Sequence, residues 1–221
     1  MTVPRRTTLL LLPPLAVVLA ACGDDQLSRC FESNASRYPF SLPGDTAAVF
    51  NWPAARQPVR VYAEPRLALP ANVDTALGLW VNALRCGELS AQRVADSGQA
   101  DIIVRNPDNL PPLAEGSITL AADSLNACRG RTDGELGPGD TLTGPLRSYI
   151  VPNTTDSTAM AACFRFVTAH EIGHALGLLQ HSPWPDDLMY TQPRRRLLTL
   201  NDRYTVQTLY HRAATIAPPP R

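Results

Sequence analysis

Three of the four histidines in this 221-residue chain fall within twelve residues, His170-Glu171-Ile172-Gly173-His174-Ala175-Leu176-Gly177-Leu178-Leu179-Gln180-His181. His170 and His174 are four positions apart, so on a helix they share one face and can offer two imidazole nitrogens to one metal ion. Glu171 points away from that face, where it can hold a metal's water and take its proton as general base. A catalytic zinc takes three protein ligands and keeps one position open, so a third ligand must come from elsewhere. Gly177 supplies the means: a glycine three residues past the second histidine can adopt a left-handed conformation, end the helix and turn the chain back. His181 follows that turn. With histidine this scarce, a chance H-E-x-x-H is on the order of a 1% event. The chemistry these residues support is hydrolysis by a metal-activated water.

At these residues the sequence resembles the metzincin metallopeptidases, and within them the matrixin-like branch, whose pattern is H-E-x-x-H-x-x-G-x-x-H followed by a methionine turn. The chain matches at His170, Glu171, His174 and Gly177 and then departs by one residue, because Gln180 stands at the strict third-ligand position. Glutamine is a poor zinc ligand, so the loop reads as one residue longer, with His181 as the third ligand. Asp187-Leu188-Met189-Tyr190 resembles the methionine turn, which implies Met189 as an apolar floor beneath the metal. Tyr190 stands at a different offset from the tyrosine of astacin-like relatives and stays outside the catalytic set. The resemblance further implies that an edge strand binds the substrate backbone, with residues 116–120 as the candidate. It also implies that Arg194-Arg195-Arg196 wall the pocket beyond the scissile bond, against the plainer reading of a solvated basic face.

The elements that must position these groups follow from periodicity. Val59-Arg60-Val61-Tyr62 alternates as a strand, and Val73, Ala76, Leu77, Trp80, Val81 and Leu84 form a helical stripe over Asn72 to Arg85, with Trp80 as a core anchor. Ala100-Asp101-Ile102-Ile103-Val104-Arg105, residues 116–120 and residues 147–151 read as further strands, with a Gly/Asp/Thr-rich loop from about 129 to 145. Thr155-Asp156-Ser157 offers N-caps to the helix that carries the histidines, and Asn201 or Thr199 can cap a last helix. His211, in that helix's last turn, reads as structural. Together with Asn51-Trp52-Pro53, this order extends the resemblance over about residues 45–212. The fold expected is one α/β (α+β) zincin-like domain: a mixed, mostly parallel sheet, a zinc-binding helix, an upper part (45–177) and a small lower part (178–212).

Before that domain, Arg5 and Arg6, an apolar run from Leu9 and the ending Leu19-Ala20-Ala21-Cys22 read as an export signal over residues 1–21. Leu-Ala-Ala-Cys resembles the bacterial lipobox, which implies lipidation of Cys22, a tether over 22–44 and an envelope protein anchored to a membrane by acyl chains. Residues 213–221 form a Pro-rich tail. Cys30, Cys86, Cys128 and Cys163 remain for two disulfides in an oxidising compartment, and three connectivities are open. Cys30–Cys86 with Cys128–Cys163 is preferred, since the second pair would tie the Gly-rich loop to the start of the metal-binding helix. Lys+Arg and Asp+Glu balance at 20 each, so no global field attracts nucleic acid or an acidic membrane surface.

The function expected is a zinc-dependent endopeptidase, monomeric, with a peptide or protein as substrate and Glu171 as general base and then acid to the leaving amine. Its rival is a non-catalytic surface lipoprotein, with zinc fixing its fold, that binds a protein or cell-wall partner; the mark of that rival is a fourth protein ligand. An amidase acting on peptide cross-links of the cell wall fits the same residues.

Overall fold

The computed structural model describes residues 35–113, 117–125 and 128–220. The export signal, Cys22 and Cys30 lie outside them. Six strands are ordered β2-β1-β3-β7-β5-β4, and a short β6 pairs with β5. They are β1 (Val59–Ala63), β2 (Ala91–Val94), β3 (Ile102–Arg105), β4 (Ser117–Leu125), β5 (Cys128–Gly137), β6 (Thr141–Leu142) and β7 (Leu146–Pro152). The neighbours β2, β1, β3 and β7 all pair in parallel, while β5 runs antiparallel to both β7 and β4. The sheet is therefore mixed and mostly parallel, as expected from the sequence.

Three α-helices complete the fold: α1 (Leu69–Val81), α2 (Ser157–Ala175) and α3 (Leu200–Tyr210). A parallel neighbour pair needs a crossover, and α1 supplies it between β1 and β2. α1 starts three residues before the expected Asn72, because Pro70 suits the first turn of a helix. It also stops early: Ala83 N–H bonds Trp80 O and Leu84 N–H bonds Val81 O, three-residue steps that close its end. α2 packs against α1, β5 and β7. Two buried indoles pin it, Trp80 Nε1 donating to Ala169 O at 2.8 Å and Trp52 Nε1 to Ala175 O at 2.9 Å. Its N-cap is Asp156, which accepts from Ala159 N–H at 2.7 Å. Every residue from Val167 to Ala175 is buried, so His170, Glu171 and His174 sit in the middle of the molecule.

The structure departs from the sequence expectation in other places too. The loop expected over 129–145 is mostly strand: β5 forms a hairpin with β4 and carries β6 on its far end. The glycines that signalled a loop serve closeness instead, since a Cβ on Gly134 would stand 2.7 Å from a methyl of Leu146. The tether expected over 22–44 belongs to the domain in its last part, where Tyr38, Phe40 and Ser41 are buried and Phe40 O accepts from Leu179 N–H. The tail expected from 213 also packs: Ile216 is buried, Thr215 bonds Val49, and Ala217 bridges to Thr141.

Cys128 and Cys163 form a disulfide, one of the pairs favoured from sequence, joining the start of β5 to the second turn of α2. Cys86 is also disulfide-bonded, to a partner outside the described residues. No described helix is long and apolar enough to cross a membrane.

Candidate metal centre and active site

α2 ends because the chain can turn left-handed at residue 177. Gly177 has φ +113°, and a Cβ there would collide with Phe50 O, so conformation and space both require glycine. Gly177 N–H bonds His174 O at 3.0 Å and Leu178 N–H bonds Gly173 O at 3.1 Å, the paired contacts of a Schellman turn. That turn brings Leu178 O back against His174 Nδ1. On the other side, the turn at Asp187–Tyr190 presents Leu188 O to His170 Nδ1 at 2.7 Å.

These two contacts fix the chemistry of the rings. A backbone carbonyl can only accept, so Nδ1 of each histidine carries the proton and each Nε2 keeps its lone pair. His170 Nε2 and His174 Nε2 then face one another at 2.9 Å. Two lone pairs at that separation repel unless a proton or a metal ion lies between them. One candidate ligand atom each from His170, His174 and His181 lies within 4.8 Å of the others, which brackets the roughly 3.3 Å between nitrogens expected around a tetrahedral zinc. The donor set therefore fits a metal ion. Among the described residues these three form the only such group, and no fourth His, Cys, Asp or Glu joins it.

The one-residue departure in the loop has a structural counterpart. Gln180 turns away from the histidines and donates through Nε2 to Ser41 O at 2.9 Å, while the His181 ring lies 5.3 Å from that of His170 and 5.0 Å from that of His174. Met189 is fully buried in the turn after the loop, and a Cβ on Gly173 would meet its sulfur at 2.5 Å and Trp80 at 2.6 Å. Tyr190 sits beside it, its N–H bonded to Asp187 O. Trp184, in the loop between His181 and Met189, is 42% exposed. Arg195 pairs with Asp186 at 2.5 Å, and Arg194–Arg196 with Phe166 line an open groove of about 500 Å³. His211 caps α3 and meets Gln207 O and Glu88, far in sequence from the other three histidines and in a supporting place, as its position suggested.

Glu171 is fully buried, and its carboxylate Oε2 accepts from the Thr132 hydroxyl at 2.6 Å. β5 is thus a strand that reaches this carboxylate; β4, which contains residues 117–120 of the expected substrate strand, forms an outer edge of the sheet.

Sequence reasoning did not single out Thr132, nor the carboxylate that holds the methionine-containing turn. Asp202 accepts from Leu188 N–H at 2.9 Å, Met189 N–H at 3.3 Å and Tyr38 OH at 2.9 Å. It is also the third residue of the capping box begun by Thr199, so Thr199 and not Asn201 caps α3. The spacing Thr199-x-x-Asp202 was the available signal. Burial pushes the Asp202 carboxyl above its ordinary range, opposed by the N–H groups of Thr199 and Leu188. Burial likewise pushes the Tyr38 phenol up, with the Asp202 charge adding to it. Asp187 accepts from Ser182, Thr199 and Asn201, closing a polar network under the turn.

The family model for matrixin matches residues 115–211, a little under half of the chain, and supports a metzincin-like family and a metalloprotease hydrolase. No curated protein matches the chain.

Proposed function

We propose that the chain is a matrixin-like zinc endopeptidase, in which His170, His174 and His181 hold the metal and Glu171 is the general base. The observation that carries this reading is the convergence of one candidate ligand nitrogen each from His170, His174 and His181 within 4.8 Å, with the first two rings held by carbonyls at their Nδ1. Zinc supplies a Lewis acid for the scissile carbonyl and lowers the pKa of a water at its open position to about 7. The chain's own groups do the rest. The carbonyls of Leu188 and Leu178 hold the two rings in the tautomer that can ligate, as outer partners of metal-bound histidines do. Glu171 takes the water's proton and returns it to the leaving amine. Peptide-bond hydrolysis in an extended substrate is the reaction class, and the groove at Arg194–Arg196 favours acidic or polar side chains beyond the cleaved bond.

Lipidation at Cys22 and an envelope location belong to the same reading and rest on the sequence alone. The rival, a closed structural zinc site in a binding protein, requires a fourth protein ligand, and among the described residues no fourth His, Cys, Asp or Glu joins the three histidines. The test is hydrolysis of a pool of unfolded proteins by the wild type and by Glu171→Gln, with zinc content measured in both. Cleavage by the wild type and a loss of at least about a hundredfold in the variant at equal zinc is expected. Equal hydrolysis by both proteins would overturn the role of Glu171.

A further inference from the structure

The side of the sheet that faces α2 is apolar or glycine along β5 and β7, at Cys128, Gly130, Gly134, Leu146 and Ile150, except at one register pair. Thr132 stands opposite Ser148, both fully buried, with their hydroxyl oxygens 2.9 Å apart. Two buried hydroxyls cost free energy that a Val and Ala pair of similar volume would not, unless they have something to bond. What they bond is Glu171.

A carboxylate only accepts, so the Thr132 proton goes to Oε2 at 2.6 Å, and Ser148 in turn donates to Thr132. Two residues earlier on the same face of β5, a Cβ on Gly130 would overlap Oε1 of Glu171 and stand 2.6 Å from Val167. Glycine and threonine, spaced two apart on one strand, therefore form a niche shaped to this carboxylate. One oxygen is accommodated by the absent side chain and the other is bonded by the hydroxyl.

We propose that Thr132, itself held by Ser148, is a positioning residue for Glu171, with Gly130 giving the carboxylate room. This rests on the reading of Glu171 as general base. A hydrogen-bonded carboxylate has one orientation instead of several, which matters for a proton acceptor whose efficiency depends on reach and angle.

The test compares Thr132→Val, which keeps shape and removes the hydroxyl, with Thr132→Ser, which restores it, in the zinc-loaded full chain. Thr132→Val is expected to lower kcat about tenfold to a hundredfold with KM and zinc content unchanged, and Thr132→Ser to stay within about threefold of wild type. A wild-type kcat in Thr132→Val would overturn the proposal, as would a serine variant as slow as the valine one. A second readout needs no catalysis. Urea unfolding of the metal-free wild type, Thr132→Val, Glu171→Leu and the double variant forms a cycle, and the midpoint shifts are expected to be non-additive. Additive shifts would overturn the niche. The cycle remains decisive if the wild type cleaves no substrate, an outcome that would count against the peptidase reading and not against the niche.

Discussion

At the scale of single residues, the proposed choice of His181 over Gln180 as third ligand rests on what else each side chain can reach. Gln180 is engaged with the backbone of Ser41, whereas His181 stacks at 17° to the His170 ring. His181→Ala is therefore expected to weaken zinc binding by several orders of magnitude, because the metal loses one of three protein ligands. Gln180→Ala is expected to weaken it by no more than about the 10–100-fold seen for outer-partner changes. Competition of each variant with a chromogenic chelator measures both. Comparable loss in the two would return Gln180 to the ligand set. The His170 and His174 pair was legible from spacing alone, since four residues on a helix place two side chains together whatever the surroundings. The partner of Glu171 was not. A threonine in a strand looks the same in sequence whether it packs or bonds, and Thr132 meets Glu171 across 39 positions of chain.

At the scale of elements, the legible parts were those whose periodicity reports burial directly. β1 and most of β7 alternate, α1 carries an apolar stripe, and β3 is a short continuous buried run, each as its packing demands. β5 was hidden because its positions facing α2 include Gly130, Thr132 and Gly134, small residues that let the helix approach, while Arg129, Arg131, Asp133 and Glu135 alternate onto the other face, where Arg131 and Asp133 are buried as an ion pair. Charges alternating with glycines imitate a loop, although the period is that of a strand. β2 was missed for a different reason: it is a short edge strand with no buried residue. The methionine-containing turn is held from α3 by Asp202, and this link makes a prediction about pH. The folded-state pKa of Asp202 is raised by burial, so its proton is held more tightly in the folded state than in the unfolded chain. Its contribution to stability is then fully present below the unfolded value near about 4 and is lost as pH rises through the folded value. Asp202→Asn removes the titration and also several accepted bonds. The variant should be less stable than wild type throughout, by most at the acid end, with the gap narrowing as pH rises toward neutrality. Urea midpoints of both proteins between about pH 3.5 and 7 measure this, and a gap that widens with pH would contradict the sign.

At the scale of the whole molecule, three long-range ties converge on the helix and loop that carry the histidines. The Cys128–Cys163 disulfide spans 35 residues, for which the loop-entropy relation gives about 4 kcal/mol. The indoles of Trp52 and Trp80 tie the upper part to α2. The third tie is the segment just before residue 42, which composition alone assigned to a tether. Its Tyr38 bonds Asp202 under the turn, its Phe40 carbonyl takes Leu179 N–H, and Ser41 holds Gln180 beside His181. The segment therefore supports the turn and the loop around the three histidines. A chain begun at residue 45 should keep the sheet and its packing on α1 and α2. It should lose order selectively in residues 178–190. The expected signature is a zinc affinity reduced about 10–100-fold together with new protease cleavage confined to the His181 loop, while a chain begun at residue 35 behaves as the full chain does. Equal zinc affinity and equal protease resistance in the two shortened chains would reduce the segment to a covering of the surface. Loss of all structure in the chain begun at residue 45 would instead make it part of the core on which the sheet itself depends.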